Sequence, residues 1–371
     1  ATKTCEGDDQ AFSLAFSLAE GKHNLAITSV DQAGNTSIRQ QPVVIDNTAP
    51  GVADLTLIPD HGPSATDGIT TLREDEELFL AFQLSESPVH ITLSYRELGA
   101  EKLVVLYEQD YPAEMPLEAA VPVYLRDDGS YTLVLNITDQ AGNSTILEKL
   151  LVIDNVAPST LDLTMTPDTG VAGDFITQLA ANAEVTLSGT LSEKQVTITI
   201  SKGDTVLATK TCEGDDQAFA LSFPLAEGKH TLIIATTDQA GNGKYLYHPF
   251  VIDNTAPDAI TGLLIMPDTG VPDDFITQLA ADAKLTLGAA PLPETLLTVT
   301  VTEGDTVLAT KTCEDDDQAL DLAFNLAEGT HHLVITTEDV AGNSTTLEQT
   351  VVIDNTAPAP VTGLVLTPDH G

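Results

Sequence analysis

The segment Val196-Thr-Ile-Thr-Ile200 alternates apolar and polar side chains with a period of two, the pattern of a strand with one face buried. Thr231 to Thr237 is rich in β-branched residues and reads as another strand. Lys202-Gly-Asp-Thr205 and Glu303-Gly-Asp-Thr306 each separate two such runs and predict tight hairpin turns. Turn signals recur roughly every ten residues, and no apolar stripe with helical spacing persists for ten residues or more. About seven short strands in each hundred residues predict an all-β fold of immunoglobulin-like sandwiches.

The pattern repeats. Asp-x-Ala-Gly-Asn begins at Asp31, Asp139, Asp238 and Asp339. Val-Ile-Asp-Asn-x-Ala-Pro follows each time, with its Asp at 46, 154, 253 and 354. Pro-Asp-x-Gly places further acids at Asp60, Asp168, Asp268 and Asp369. A unit of about 100 residues is a whole domain rather than one turn of a solenoid. Cutting at each Ala-Pro gives three full units, 50–157, 158–256 and 257–357. Residues 1–49 hold the C-terminal half of a unit and 358–371 the start of another, as expected of a piece of a longer array, and both ends are expected to be poorly ordered unless something completes them. In each unit a ring, His23, Tyr131, His230 or His331, follows a short turn and opens a strand. This is the arrangement of a tyrosine corner, so these histidines are expected to be structural.

Charge narrows the function. The chain has 371 residues, with 56 acidic and 15 basic side chains and a net charge of −41. Such a field repels phosphate, so no nucleic-acid partner and no anionic membrane surface is expected. No apolar run is long enough to insert in a membrane, and no leader is visible at the N-terminus. Hydrophobic residues are 42% of the chain, enough for cores.

The acids fall in loops that the sandwich topology brings to one end of each domain. Asp-x-Ala-Gly-Asn lies between the last two strands, and Glu86, Glu193 and Glu294 lie in the loop between the second and third. The Asp-Asn linker of the preceding unit enters at the same end, and Glu213-Gly-Asp-Asp-Gln217, with its counterpart 314–318, is expected to cap it. Four carboxylates about 5 Å apart repel by ~0.8 kcal/mol per pair in water, or about 5 kcal/mol in all. A hard divalent cation relieves this, and carboxylate, amide and carbonyl oxygens suit Ca²⁺. The candidate ligands at these junctions are Asp46, Glu86, Asp139, Asn143, Asp154, Glu193, Asp238, Asn242, Asp253, Glu294, Asp339, Asn343 and Asp354. A second candidate set lies in the Pro-Asp-x-Gly loops: Asp60 with Asp67, Asp168 with Asp174, and Asp268 with Asp274. The competing reading is that Asp and Asn are ordinary turn residues needing no metal.

The combination of Val251-Ile-Asp-Asn-Thr-Ala-Pro257, Asp-Gln-Ala-Gly-Asn before it and Pro-Asp-Thr-Gly-x-x-x-Asp-x-Ile-Thr after it resembles bacterial Ig-like domains. More narrowly, it is similar to the repeats of giant type I-secreted non-fimbrial adhesins of the SiiE-like group. That resemblance covers all units. It implies a monomeric rod at the bacterial cell surface, stiffened by Ca²⁺, which carries a binding tip toward a host glycan or receptor. Cys5, Cys212 and Cys313, one per unit, depart from it and are expected to be buried strand residues. No catalytic constellation stands out, so no enzyme is expected. The alternative function is that the domains themselves bind a host glycan or protein, with Tyr95, Tyr107 and Tyr111 of the longer unit 50–157 as the candidate surface.

Overall fold

The computed structural model describes residues 1–6, 11–280, 283–290, 296–314 and 319–363. Among them every regular element is a strand, and no helix is long and apolar enough to cross a membrane. The chain divides into two compact units, one of residues 1–158 with 237–243, the other of 159–236 with 244–371.

The first unit contains a two-stranded hairpin, Gly21–Val30 with Thr36–Ile45, and one complete sandwich. One sheet of that sandwich has three strands, Val52–Ile58, Leu78–Leu84 and Glu118–Val123. The other has five, in the order Ile69–Thr70, Ser144–Ile153, Gly129–Asp139, Val89–Glu97 and Val104–Tyr111. The second unit repeats this three-plus-five arrangement twice, once around Val185–Leu191 and once around Leu285–Ala289. The alternation legible at Val196 to Ile200 is seen in burial: Ile198 and Ile200 are fully buried while Thr199 between them is not. Each sandwich closes on its own core, with Leu80, Leu93, Leu133 and Leu135 at the centre of the first and Leu187, Ile198, Leu232 and Phe250 in the second. The third is built on Leu285, Leu287, Val299 and Val351.

The predicted hairpin turns are tight: Gly203-Asp204 joins Lys202 to Thr205, and Gly304-Asp305 joins Glu303 to Thr306. The corner residues behave as expected. The Tyr131 hydroxyl donates to the Asp127 carbonyl at 2.9 Å. His23, His230 and His331 each place Nε2 2.7–2.8 Å from the carbonyl four residues back, at Ala19, Ala226 and Ala327. A ring nitrogen has taken over the role of the phenol. Cys212 and Cys313 are buried as expected, and burial pushes the Cys212 thiol up. Cys5 is exposed instead.

Two-residue strands, Ile69–Thr70, Ile176–Thr177 and Ile276–Thr277, run parallel to the end of the last strand of each sandwich. Their threonines are buried to within 1%. They anchor the end of each acidic Pro-Asp-x-Gly loop, which is how an otherwise irregular segment is held in place.

Candidate functional site

The Asp-x-Ala-Gly-Asn loop is closed by its own first and last residues. One oxygen of Asp139 accepts the backbone N–H groups of Ala141 and Asn143, at 2.8 and 2.9 Å. The other accepts the Asn143 amide at 2.7 Å. Those donors, the Asn143 amide first, hold the Asp139 carboxyl below the usual carboxylate range. Asp31, Asp238 and Asp339 bind Asn35, Asn242 and Asn343 in the same way. The asparagine amide then reaches the linker ahead of the domain. It donates to the carbonyl of Asp46 from Asn143 at 3.2 Å, of Asp154 from Asn242 at 2.9 Å, and of Asp253 from Asn343 at 2.9 Å. Thr145 and Thr345 add hydroxyl bonds to the carbonyls of Pro50 and Pro257.

In the linker, one oxygen of Asp46, Asp154, Asp253 and Asp354 caps the N–H two residues on, at 2.9–3.1 Å. The asparagine after it fastens the far side, as Asn155, Asn254 and Asn355 accept the N–H of Leu72, Leu179 and Leu279. The first unit brings Glu86 to this end beside Asp46 and Asp139. Burial first, then the charges of Asp46 and Asp139, push the Glu86 carboxyl up. In the same unit a carboxylate oxygen of Asp154 lies within 4.8 Å of one of Asp238. Burial raises Asp154 in turn, with Asp238 and Asp128 adding to it. In the second unit Asp253 and Asp339 are joined through Asn343. Glu193 lies in the turn after strand Val185–Leu191, the position equivalent to Glu86. Glu294, Asp315 and Asp369 lie outside the described residues.

The Pro-Asp-x-Gly loops are not a separate feature. In the first unit the loop of Asp60 lies against the loop of Asp238, and Thr71 donates to the Ala240 carbonyl at 3.2 Å. A Cβ on Gly62 would stand 2.0 Å from the Gln239 carbonyl oxygen, and one on Gly241 would stand 2.5 Å from that of His61. In the second unit the loop of Asp168 meets the loop of Asp339 in the same manner. Val171 donates to Val340 at 3.1 Å, the Thr169 hydroxyl to Ala341 at 2.5 Å, and the Gln178 amide to Gly342 at 3.0 Å. Gly62, Gly170, Gly241 and Gly342 are therefore required by backbone-to-backbone approach. That signal was present in the repeated strings, but their carboxylates drew the reading instead.

This docking buries the acids. Asp60 Oδ1 and Asp168 Oδ1 are buried with no hydrogen-bond partner. Burial pushes Asp60 up, with Asp67 contributing, and burial pushes Asp174 up, with Asp168 contributing. Asp67 and Asp174 each spend one oxygen on the N–H of Ile69 and Ile176, and Asp274 does the same for Ile276. Asp268 accepts from Asp273 at 2.8 Å and is exposed. An orphaned carboxylate oxygen beside a second carboxylate could serve as part of a donor set for a hard cation.

The Glu213-to-Gln217 element pairs two of its acids with lysines, Asp215 with Lys194 at 2.6 Å and Asp216 with Lys210 at 3.3 Å. The tyrosines of unit 50–157 do not form a free surface. Tyr95 packs edge-on to Tyr131 with centroids 5.7 Å apart, and the Tyr111 hydroxyl donates to the carbonyls of Pro116 and Glu118. Tyr107 is half-buried against the core and donates to Gln109.

A family model described as bacterial Ig-like domain matches residues 155–254 and 255–355, and a second of the same description matches 109–155. No curated protein matches the sequence. Among solved structures, the chain is similar to part of a 1.5-MDa bacterial ice-binding adhesin, at 14% identity and a TM-score of 0.31 over 83% of this chain and 98% of that one. It is similar also to a Ca²⁺-stabilised adhesin of an Antarctic bacterium that binds ice, at 17% identity and 0.27, over 90% and 81%. A tetra-tandem repeat from the extending region of a large adhesion protein aligns at 19% and 0.28, over 91% and 83%. At such scores these likenesses carry nothing about what this chain does.

Proposed function

We propose, on the premise that the chain belongs to the bacterial Ig-like domain family, that it is a stalk segment of a bacterial cell-surface adhesin whose repeats are fastened to one another by Ca²⁺. The observation that carries this is the group Asp46, Glu86, Asp139 and Asn143 in the first unit. There an amide clamps the linker backbone while a carboxylate is raised by burial and by two like charges. Three acids held together with no lysine among them are a cost unless a cation neutralises them. The same residue types recur at Asp154, Glu193, Asp238 and Asn242, at Asp253, Glu294, Asp339 and Asn343, and at Asp354. The Asp-x-Gly pairs, Asp60 with Asp67, Asp168 with Asp174 and Asp268 with Asp274, form the second class of site. Domain boundaries follow the linkers, at 50–157, 158–256 and 257–357, with partial repeats at 1–49 and 358–371.

At a dissociation constant of about 10⁻⁴ M, 2 mM Ca²⁺ stabilises by ~1.8 kcal/mol per site. That is modest for one site and substantial along an array. It also fits an exported protein: the repeats would stay loose where calcium is scarce and set outside the cell, as type I secretion requires. In this reading the adhesive contact that gives such a protein a role in virulence lies elsewhere in the full molecule, and this segment catalyses nothing. Thermal unfolding of the full chain in 2 mM CaCl₂ and in EDTA tests it. A higher midpoint in calcium, lost in Glu86→Gln with Asp46→Asn, is expected. Equal midpoints would return the acids to ordinary turns.

A further inference from the structure

We infer that the outward face of the five-stranded sheet of repeat 158–256 is a binding platform for a neutral polysaccharide, with Tyr245 and Tyr247 as its stacking residues. The last strand, Gly243–Ile252, alternates in burial over its second half, from His248 to Ile252. His248 and Phe250 turn inward and pack on Phe175, with centroids 4.3 and 5.3 Å from its ring. The positions between them therefore face outward, and Tyr245 and Tyr247 are 68% and 65% exposed there. Two residues along a strand place the rings about 7 Å apart on one side of the sheet. A phenol ring is apolar over its face and polar at its tip, which suits the C–H face and hydroxyl edge of a sugar.

The surroundings select the ligand. Behind the tyrosines the outward row of Gly228–Thr237 carries half-buried Ile233 and Ala235 between exposed Thr231 and Thr237, with Lys229 at its far end. Beyond it stand paired threonines, Thr197 with Thr211 at 3.0 Å and Thr199 with Thr209 at 3.3 Å. No carboxylate occupies the outward positions of Thr197–Lys202, Gly228–Thr237 or Gly243–Ile252, in a chain whose net charge is −41. The equivalent face of repeat 50–157 is charged instead, with Arg96 paired to Glu148 and His90 to Asp110. A carboxylate-free aromatic and hydroxyl face on a strongly anionic protein suits a neutral chain of sugars, since an acidic one would be repelled by the rest of the molecule.

The test is calorimetric titration of the full chain, in calcium, with cellohexaose, maltohexaose and mannohexaose. Binding of at least one, weakened by about tenfold or more in Tyr245→Ala with Tyr247→Ala, is expected. Tyr124→Ala, at an exposed tyrosine of repeat 50–157, should leave it unchanged. Thermal midpoints equal to that of the parent show that the variants fold. Failure of all three saccharides to bind would overturn the proposal. So would binding that survives the double substitution, or self-association abolished by Tyr247→Ala without any effect of saccharide. None of these outcomes bears on the calcium sites, whose variants leave both tyrosines in place.

Discussion

Two loops of the second unit carry the same five residues, Pro-Asp-Thr-Gly-Val, at 167–171 and 267–271, and they have different surroundings. Inside each loop the bonding is shared. The backbone N–H of Thr169 and Thr269 reaches Thr177 and Thr277 at 3.2 Å in both, and Asp168 and Asp268 each accept an N–H five residues on. Only the first has the loop of Asp339 against it. There Gly170 faces the Val340 carbonyl, whereas around Gly270 nothing stands within 4 Å of an added Cβ. Only in the first is a carboxylate oxygen, Asp168 Oδ1, buried without a partner among the described residues of this pair, while Asp268 is exposed. The loop is thus preformed by its own sequence. Where the loop of Asp339 docks on it, water is removed from the acids, and on the proposed reading that is where a cation would bind.

Substituting the two glycines separates these contributions. Both have positive φ, so alanine costs about 1 kcal/mol in either from backbone strain alone. Gly170→Ala must in addition move a backbone oxygen 2.0 Å away, and is expected to lose about 2–3 kcal/mol more than Gly270→Ala in urea unfolding. Equal losses would mean that the docking seen at Gly170 adds nothing to stability.

The acids sharpen the same contrast. Asp168→Asn should forfeit about 1.8 kcal/mol of stability in 2 mM calcium and none in EDTA, and Asp268→Asn should lose less in calcium. Calcium-dependent unfolding of the two variants decides it, and a calcium response intact in Asp168→Asn would remove that loop from the metal sites.

The smallest effect is on pH. Asp174 is raised by burial and by Asp168, so the folded state binds its proton more readily than the unfolded chain does. Its ionisation in the fold opposes folding above that raised value, and the penalty fades as pH falls toward the ordinary carboxylate range. In EDTA the unfolding midpoint should therefore rise slightly on acidification from neutral pH. Asp60, Glu86 and Asp154 act in the same direction. Asp139 is lowered by its donors and contributes stability that is lost once pH drops through its folded value, so the rise should reverse at lower pH. Asp174→Asn should flatten the first limb, and a midpoint that only falls on acidification would contradict the raised carboxylates.

Much of this was legible in advance because it depends on near neighbours in the chain. Alternation at Val196 to Ile200 specified the strand and its buried face, and the corner rings at His23, Tyr131, His230 and His331 act on a carbonyl four residues away. Asp139 and Asn143 close a loop of five residues, so their mutual role is likewise local. Glu86 was placed near Asp46 and Asp139 only by assuming a topology, and the structure brings them together across the fold. The pairing of Asp215 with Lys194 and of Asp216 with Lys210 is not legible in the sequence, because sequence order does not say which lysine lies across a hairpin.

What the amino-acid sequence determined by itself, then, is the repeat, the strands, their inward faces and the shape of each acidic loop, since all of these are set by periodicity and by hydrogen bonds a few residues long. Only the tertiary structure decided which loop docks on which, that Gly62 and Gly170 stand against carbonyls far along the chain, and which aspartates lose their water. Tyr245 and Tyr247 belong to the second class as well. Nothing in a run of apolar residues says whether a ring closes a core or faces solvent until the sheet that carries it has a side.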